Sequence, residues 1–266
     1  MADFINTVDV LGDAVVTDSI IDRSITEYKD DIVSVVGNYA FCYCENLSNV
    51  ELPACSSIGS SAFRYCTNLT TVSFPACTSI NSKAFTYCTS LTSVTFPECS
   101  HIGSYAFCQC TLLSNVNFPK VSRVQSNAFW ECTELREVSF PVCSFIGSSA
   151  FAACKNLTEV NFPKLLSIAS YAFTSCHKLS KAVFPLCSRI YPSAFANCLS
   201  LSALILASTT ICTLSNSSVF MSTPIASGTG YIYVPASRVS NYQANSVWSF
   251  FSAQISAIED SEFYEE

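Results

Sequence analysis

Apolar and polar positions along the chain recur with a period of 22 residues. The dipeptide Ala-Phe closes at Phe41, Phe63, Phe85, Phe107, Phe129, Phe151, Phe173 and Phe195. Three residues after each Phe stands a Cys, from Cys44 to Cys198, and six after it a Leu, from Leu47 to Leu201. Nine after it the residue is usually Val, and eleven after it mostly Phe followed by Pro. Seventeen after it comes Ile58, Ile80, Ile102, Val124, Ile146, Ile168 or Ile190. Eight copies without an insertion mark a repeat architecture, in which each unit buries its apolar face only by stacking on the next.

The unit AFxxCxxLxxVxFPxCxxIxSxAF divides into two elements. LxxVxFP alternates apolar and polar residues about a β-branched centre, which predicts a short strand, and Pro ends it because it cannot donate to a ladder. SxAFxxC sets a hydroxyl before a short apolar turn. It predicts a helical or 3-10 turn with Ser60, Ser82, Ser104, Ser126, Ser148 and Ser170 as caps. Stacked at about 4.8 Å, eight units span roughly 40 Å. The expected architecture is a solenoid of short parallel β-strands in one sheet, with the turns opposite and caps at both ends.

The pattern LxxVxFPxCxxIxxxAFxxC resembles the BspA-like leucine-rich repeat family over about residues 35–206. The Ala-Phe-x-x-Cys signature is specific to it, although the period is 22 where the family's commoner unit is 23. The resemblance implies a right-handed leucine-rich repeat solenoid and adhesion to host proteins or other cells. It brings no catalytic residues.

A solenoid needs atypical segments over its raw ends. Residues 1–18 read as an N-terminal cap, and residues 19–206 as one degenerate repeat plus the eight regular units. Residues 207–258 read as a C-terminal cap, with a strand over Gly230-Tyr231-Ile232-Tyr233-Val234-Pro235 and a helix from Ala236 to Asn245. Residues 259–266 form an acidic tail. The net charge of −7 is concentrated at these ends. Residues 1–35 carry eight acids against Arg23 and Lys29, and the tail carries five more. The body is left slightly basic and lacks the dense basic stripe of a nucleic-acid binder. No run approaches the roughly 18 apolar residues of a membrane span, so no membrane insertion is expected. The opening residues show no basic and apolar leader. Synthesis in the cytoplasm is expected, with action at a cell surface or on a phage-like particle.

Thirteen of the 16 Cys fall in two repeat columns, three residues after Phe and two after Pro. In the post-Pro column Val121 and Leu165 replace Cys, so that site accepts a modest apolar group, whereas the post-Phe column is Cys in all eight copies. A chain with this much core does not need a disulfide framework, and the thiols read as small buried hydrophobes. No spacing brings two Cys pairs or a His together as metal ligands, so no metal or other cofactor is expected.

If Val and Phe point inward, the residues between them face outward. The candidate binding residues on that face are Asn49, Thr71, Ser93, Asn115 and Glu137 in one column, and Ser73, Thr95 and Asn117 in the next. Tyr43, Tyr65 and Tyr87, two residues after Phe in successive units, form a second candidate patch, with Tyr105 and Trp130 near in sequence. His101 and His177 stand at different repeat positions, and no nucleophile, zinc or phosphate-loop motif occurs, so catalysis is not expected. The expected partner is a protein or glycan on a host or neighbouring cell surface. A receptor-binding or tip component of a phage tail or injection device, and an intracellular scaffold, are competing readings. The sequence does not decide the oligomeric state.

Overall fold

The computed structural model describes residues 14–16 and 22–261. Apart from residues 14–16, the expected N-terminal cap lies outside the described residues, as does the acidic tail beyond residue 261. Each 22-residue unit makes one three-sided rung, and successive rungs stack in parallel with every residue beside its counterpart 22 positions on, as in Asn49–Thr71 and Val50–Val72.

The LxxVxF segments form the first side. Its strands run from Glu27–Lys29 through Asn49–Glu51 and onward to Ala203–Ile205, then Tyr231–Val234 and Ile255–Ala257. Pairing is interrupted twice, giving groups of three, three and five strands. The central Val is buried in most rungs while its two neighbours point outward, as period-two alternation requires.

The second side differs from the single-sheet expectation. Two residues per rung ending at the Ile column, such as Ser57–Ile58 and Ser79–Ile80, pair rung to rung. They form a continuous ladder of ten strands from Ala14–Val16 to Thr213–Leu214. A strand of two residues is too short to show alternation, so only the buried Ile betrays it in the sequence.

The third side is not helical. SxAFxxC folds as linked β-turns, with Ala40 N–H on Gly37 O, Cys42 N–H on Tyr39 O and Cys44 N–H on Phe41 O. Two residues per rung take left-handed φ, for example Tyr39 at 60° and Tyr43 at 64°. That geometry lets alternate amides reach the next rung: Tyr39, Phe41 and Tyr43 donate to the carbonyls of Ser60, Ala62 and Arg64. The Ser column therefore contributes backbone carbonyls to a third ladder, in place of the expected hydroxyl caps. At two corners exposed hydroxyls add a further tie, as Thr70 Oγ1 donates to Ser48 O and Thr78 Oγ1 to Ser56 O.

Two phenylalanine ladders fill the interior. Phe41 to Phe195 stack with ring centroids 4.9 to 5.4 Å apart. Phe74 to Phe184 form a parallel stack at 5.6 to 6.2 Å. The two meet edge-on or tilted, Phe129 on Phe140 at 5.9 Å and 63°, an arrangement worth about 0.5–1.5 kcal/mol per pair beyond area burial.

The two Cys columns have different jobs. From Cys66 to Cys198 each post-Phe thiol donates to the carbonyl of the Phe in the preceding rung, at 3.0 to 3.2 Å. That carbonyl already accepts from the Cys N–H of its own rung, so the S–H fills its second lone pair in a fully buried slot. The post-Pro thiols donate to a carbonyl of their own rung, Cys143 Sγ to Phe145 O at 3.3 Å, and there Val121 and Leu165 serve as well.

At the two ends aromatic residues close the Phe stack. Tyr28 meets Phe41 edge-on at 5.0 Å. Phe220 stacks on Phe195, and Phe251 meets Phe220 at 88°. The segment after the strand Tyr231–Val234 is a 3-10 turn, Ala236–Arg238, followed by a helix, Val239–Ala244. Its Tyr242 hydroxyl accepts from Cys212 N–H at 2.8 Å, while Trp248 Nε1 donates to Cys212 O at 2.6 Å. These two side chains occupy backbone groups of Cys212 that no further rung reaches.

The difference between the thiol columns is measurable. Cys132→Val loses the inter-rung bond and crowds a close-packed site, which predicts a loss of about 2 kcal/mol. Cys143→Val repeats what Val121 does one rung earlier and should cost under about 1 kcal/mol. Urea unfolding of the two variants checks this, and equal losses would contradict it.

Candidate binding surface

The two outward columns of the first side divide by how their side chains are used. At the N-terminal end they bond to one another. Lys29 Nζ pairs with Glu51 at 2.9 Å, Asn49 Nδ2 donates to the same carboxylate at 3.0 Å, and Thr71 Oγ1 donates to Asn49 Oδ1 at 2.8 Å. Both ion-pair partners are about half exposed, so the network orders the surface more than it stabilises the fold. Asn49 and Thr71, two of the expected site residues, thus have their hydrogen-bonding capacity largely spent.

One sheet group further on the situation reverses. Ser93, Thr95, Asn115, Asn117, Glu137 and Ser139 are exposed, and their side chains make no hydrogen bond within the described residues. They flank an open trough of about 570 Å³ floored by Val94, Val116 and Val138. Glu137 also borders a depression of about 260 Å³ with Glu159, Asn161 and Lys181, and another of about 430 Å³ with Asn115 and Arg136. The face therefore grades from neutral hydroxyls and amides to carboxylates. Ser73 lies exposed on the preceding sheet group, outside the trough. Ala203 and Ile205 stand in the same outward columns, yet both are buried beside Lys181, Val183, Tyr231 and Tyr233.

The tyrosine patch is on the turn side, away from the trough. Tyr43 and Tyr65 stack at 4.9 Å and 10°, and Tyr65 and Tyr87 at 4.5 Å and 9°. All three have left-handed φ between 62° and 65°, a rare conformation for a bulky residue. Arg64 and Lys83, which repeat spacing alone did not single out, lie beside the rings of Tyr65 and Tyr105 at 4.8 and 5.9 Å. Column analysis passes over them because no other rung has a cation at either position.

A profile described as BspA type leucine rich repeat region, in six copies, matches residues 34–145 and 122–232. The chain belongs to this family. No curated protein matches it. Similar solved structures of this kind include a leucine rich cell surface protein from Faecalibacterium prausnitzii A2-165, at 22% identity and TM-score 0.42 over 87% of this chain and 65% of that one. The T. pallidum leucine rich repeat protein shares 27% identity over 64% of this chain and 72% of its own, at TM-score 0.45. The pneumococcal vaccine antigen PcpA shares 17% over 88% and 76%, at TM-score 0.41. The chain thus spans just under two thirds of the Faecalibacterium protein.

In this BspA-type chain the groups that elsewhere carry chemistry are dispersed. His101 lies exposed on the second side and His177 half-buried at a corner after the seventh Cys of the post-Phe column. Among the described residues no three His, Cys, Asp or Glu are grouped to hold a metal, and no helix is long and apolar enough to cross a membrane. All 16 thiols are buried. Burial pushes Cys99, Cys108 and Cys143 up to about 11 and most others further. Cys212 is held up by donating to Cys187 at 4.0 Å and by burial. Where burial raises them, the thiols are kept from forming reactive thiolates near neutral pH, whereas the bond from Cys212 pulls the Cys187 thiol downward.

These shifts carry a sign. The folded thiols keep their protons to a higher pH than unfolded thiols, which ionise near about 8.5. Above that pH the unfolded state binds fewer protons, so stability falls. The contribution is full below about pH 8.5 and is lost as pH rises through the folded values, about 11 for Cys99, Cys108 and Cys143. Urea midpoints should stay level up to about pH 8 and drop steadily from about pH 9 to 11. A midpoint flat across that range would contradict it.

Proposed function

We propose that this chain is a non-catalytic binding protein whose sheet face between Ser93 and Ser139 receives a protein or glycan displayed on a host or neighbouring cell surface. The observation that carries this reading is the contrast along one face. At the Asn49–Glu51 end the polar groups are tied to one another, whereas around the trough six exposed polar side chains make no hydrogen bond among the described residues. Exposed hydroxyls and amides on a rigid sheet are preorganised donors and acceptors, and a ligand can use them without first breaking internal bonds. The trough offers both hydrogen-bonding roles in alternation, with Glu137 adding an acceptor of full charge. The dispersed histidines and high thiol pKa values support binding over chemistry.

The test is a screen of the purified protein against host glycans, host surface proteins and intact bacterial cells, repeated with a trough variant. Asn115→Ala with Asn117→Ala removes two amides at about 0.5–1.5 kcal/mol each, or roughly tenfold in affinity. Unchanged binding by that double variant would overturn the assignment of the trough. Hydrolysis of any screened substrate, lost on replacing His101 or His177, would overturn the non-catalytic reading.

A further inference from the structure

The turn side carries a second surface of different chemistry, independent of the trough. Because Tyr43, Tyr65 and Tyr87 stack within 10° of parallel, their ring faces are turned to one another along the solenoid axis. What the ridge presents to solvent is the ring edges and a row of phenol hydroxyls spaced by the rung repeat. The faces of Tyr65 and the inner faces of Tyr43 and Tyr87, which would stack on a sugar ring or a nucleobase, are already occupied within the row. The turn itself does not demand tyrosine, since Ala153, Ser175 and Asn197 take the same left-handed position in later rungs. The left-handed position costs any residue with a Cβ about 1–2 kcal/mol, and every rung bears it whatever the side chain.

Two cations flank the row. Arg64 lies against Tyr65, its Nε buried and without a hydrogen-bond partner. Lys83 lies beside Tyr105. Neither is in an ion pair among the described residues. Both charges act on the Cys108 thiol, one rung past Lys83 and two past Arg64, and Arg64 also acts on Tyr87. Two acids stand near the row: Glu131, in the same column two rungs past Tyr87, also acts on Cys108 and is engaged by Gln109 Nε2 at 2.8 Å, and Glu45 follows Tyr43 at the corner. Guanidinium and ammonium groups donate only, and phenol hydroxyls donate as well as accept. The ridge is therefore rich in donors and locally positive, and its complement is a periodic chain of anionic acceptors.

We propose that the Tyr43–Tyr65–Tyr87 ridge, with Arg64 and Lys83, is a binding site for an acidic polysaccharide bearing carboxylate or sulfate groups along its length. Single-stranded nucleic acid, the other periodic polyanion, is held largely by successive bases stacking on open aromatic faces, and along this row the faces between rings are closed to them. A protein anchor would likewise need an exposed ring face or pocket.

Calorimetric titration of the full chain with polygalacturonate, dextran sulfate, neutral dextran and a single-stranded oligonucleotide tests the site. The acidic polysaccharides should bind, more weakly as salt is raised, and dextran should not. Arg64→Gln with Lys83→Gln should weaken binding at least tenfold. Tyr65→Phe with Tyr87→Phe keeps the stack and removes two hydroxyls, and should weaken it about fivefold. Lys164→Gln, at the exposed corner after Pro163, should leave it unchanged. Failure of both acidic polymers to bind, equal binding of dextran, tighter binding of the oligonucleotide, or full affinity in the Arg64/Lys83 variant would each overturn the proposal. None of these outcomes bears on the trough, whose residues are untouched.

Discussion

Every rung must satisfy the backbone groups of its neighbours on all three sides, and the rest of the structure follows from that requirement. Buried amides and carbonyls without partners are costly, and a 22-residue coil leaves many of them facing along the axis. Two sides answer with parallel β-pairing and the third with left-handed turns whose alternate N–H groups reach the next rung. Side chains complete what the backbone cannot. Cys S–H fills the second lone pair of the Phe carbonyl, Ser and Thr hydroxyls tie the corners, and Tyr242 with Trp248 occupies Cys212 where the stack ends.

That division of labour separates residues that build from residues that can bind. Interior columns are held to one or a few apolar residue types by contacts with the rungs above and below, so they carry little information about a partner. Exterior columns are free to vary, and three kinds of surface result. One end of the sheet face is consumed by its own hydrogen bonds. Its middle leaves hydroxyls, amides and a carboxylate unused around a trough. The turn side near the N-terminal rungs gathers tyrosines and two cations that make no ion pair among the described residues. Recognition on a solenoid is thus a matter of which outward groups are spent internally, which a list of exposed residues does not reveal.

The repeat length, the Val and Phe columns and the buried state of the cysteines were legible because each depends on one residue type returning at one position. Three features were not. The ladder at the Ile column uses two residues per rung, below the length at which alternation shows. The turn side looks helical because Ser-x-Ala-Phe offers a cap and an apolar pair, and only inter-rung bonding favours turns over a helix. The invariance of the post-Phe Cys was visible, but its cause, a bond to a carbonyl 25 residues earlier, lies between rungs. On the surface, the tyrosine row could be read from spacing, whereas the self-bonding of Asn49 and Thr71 and the place of Arg64 beside Tyr65 depend on side-chain directions that no column records.

Amide hydrogen exchange resolved along the turn side tests the governing constraint most directly. If the turns form a third ladder, the amides of Phe63, Tyr65, Phe85 and Tyr87 should exchange as slowly as those of the neighbouring strands, at rates set by opening of whole rungs. Exchange of these amides at the rate of exposed loops, with the strands still protected, would contradict the account.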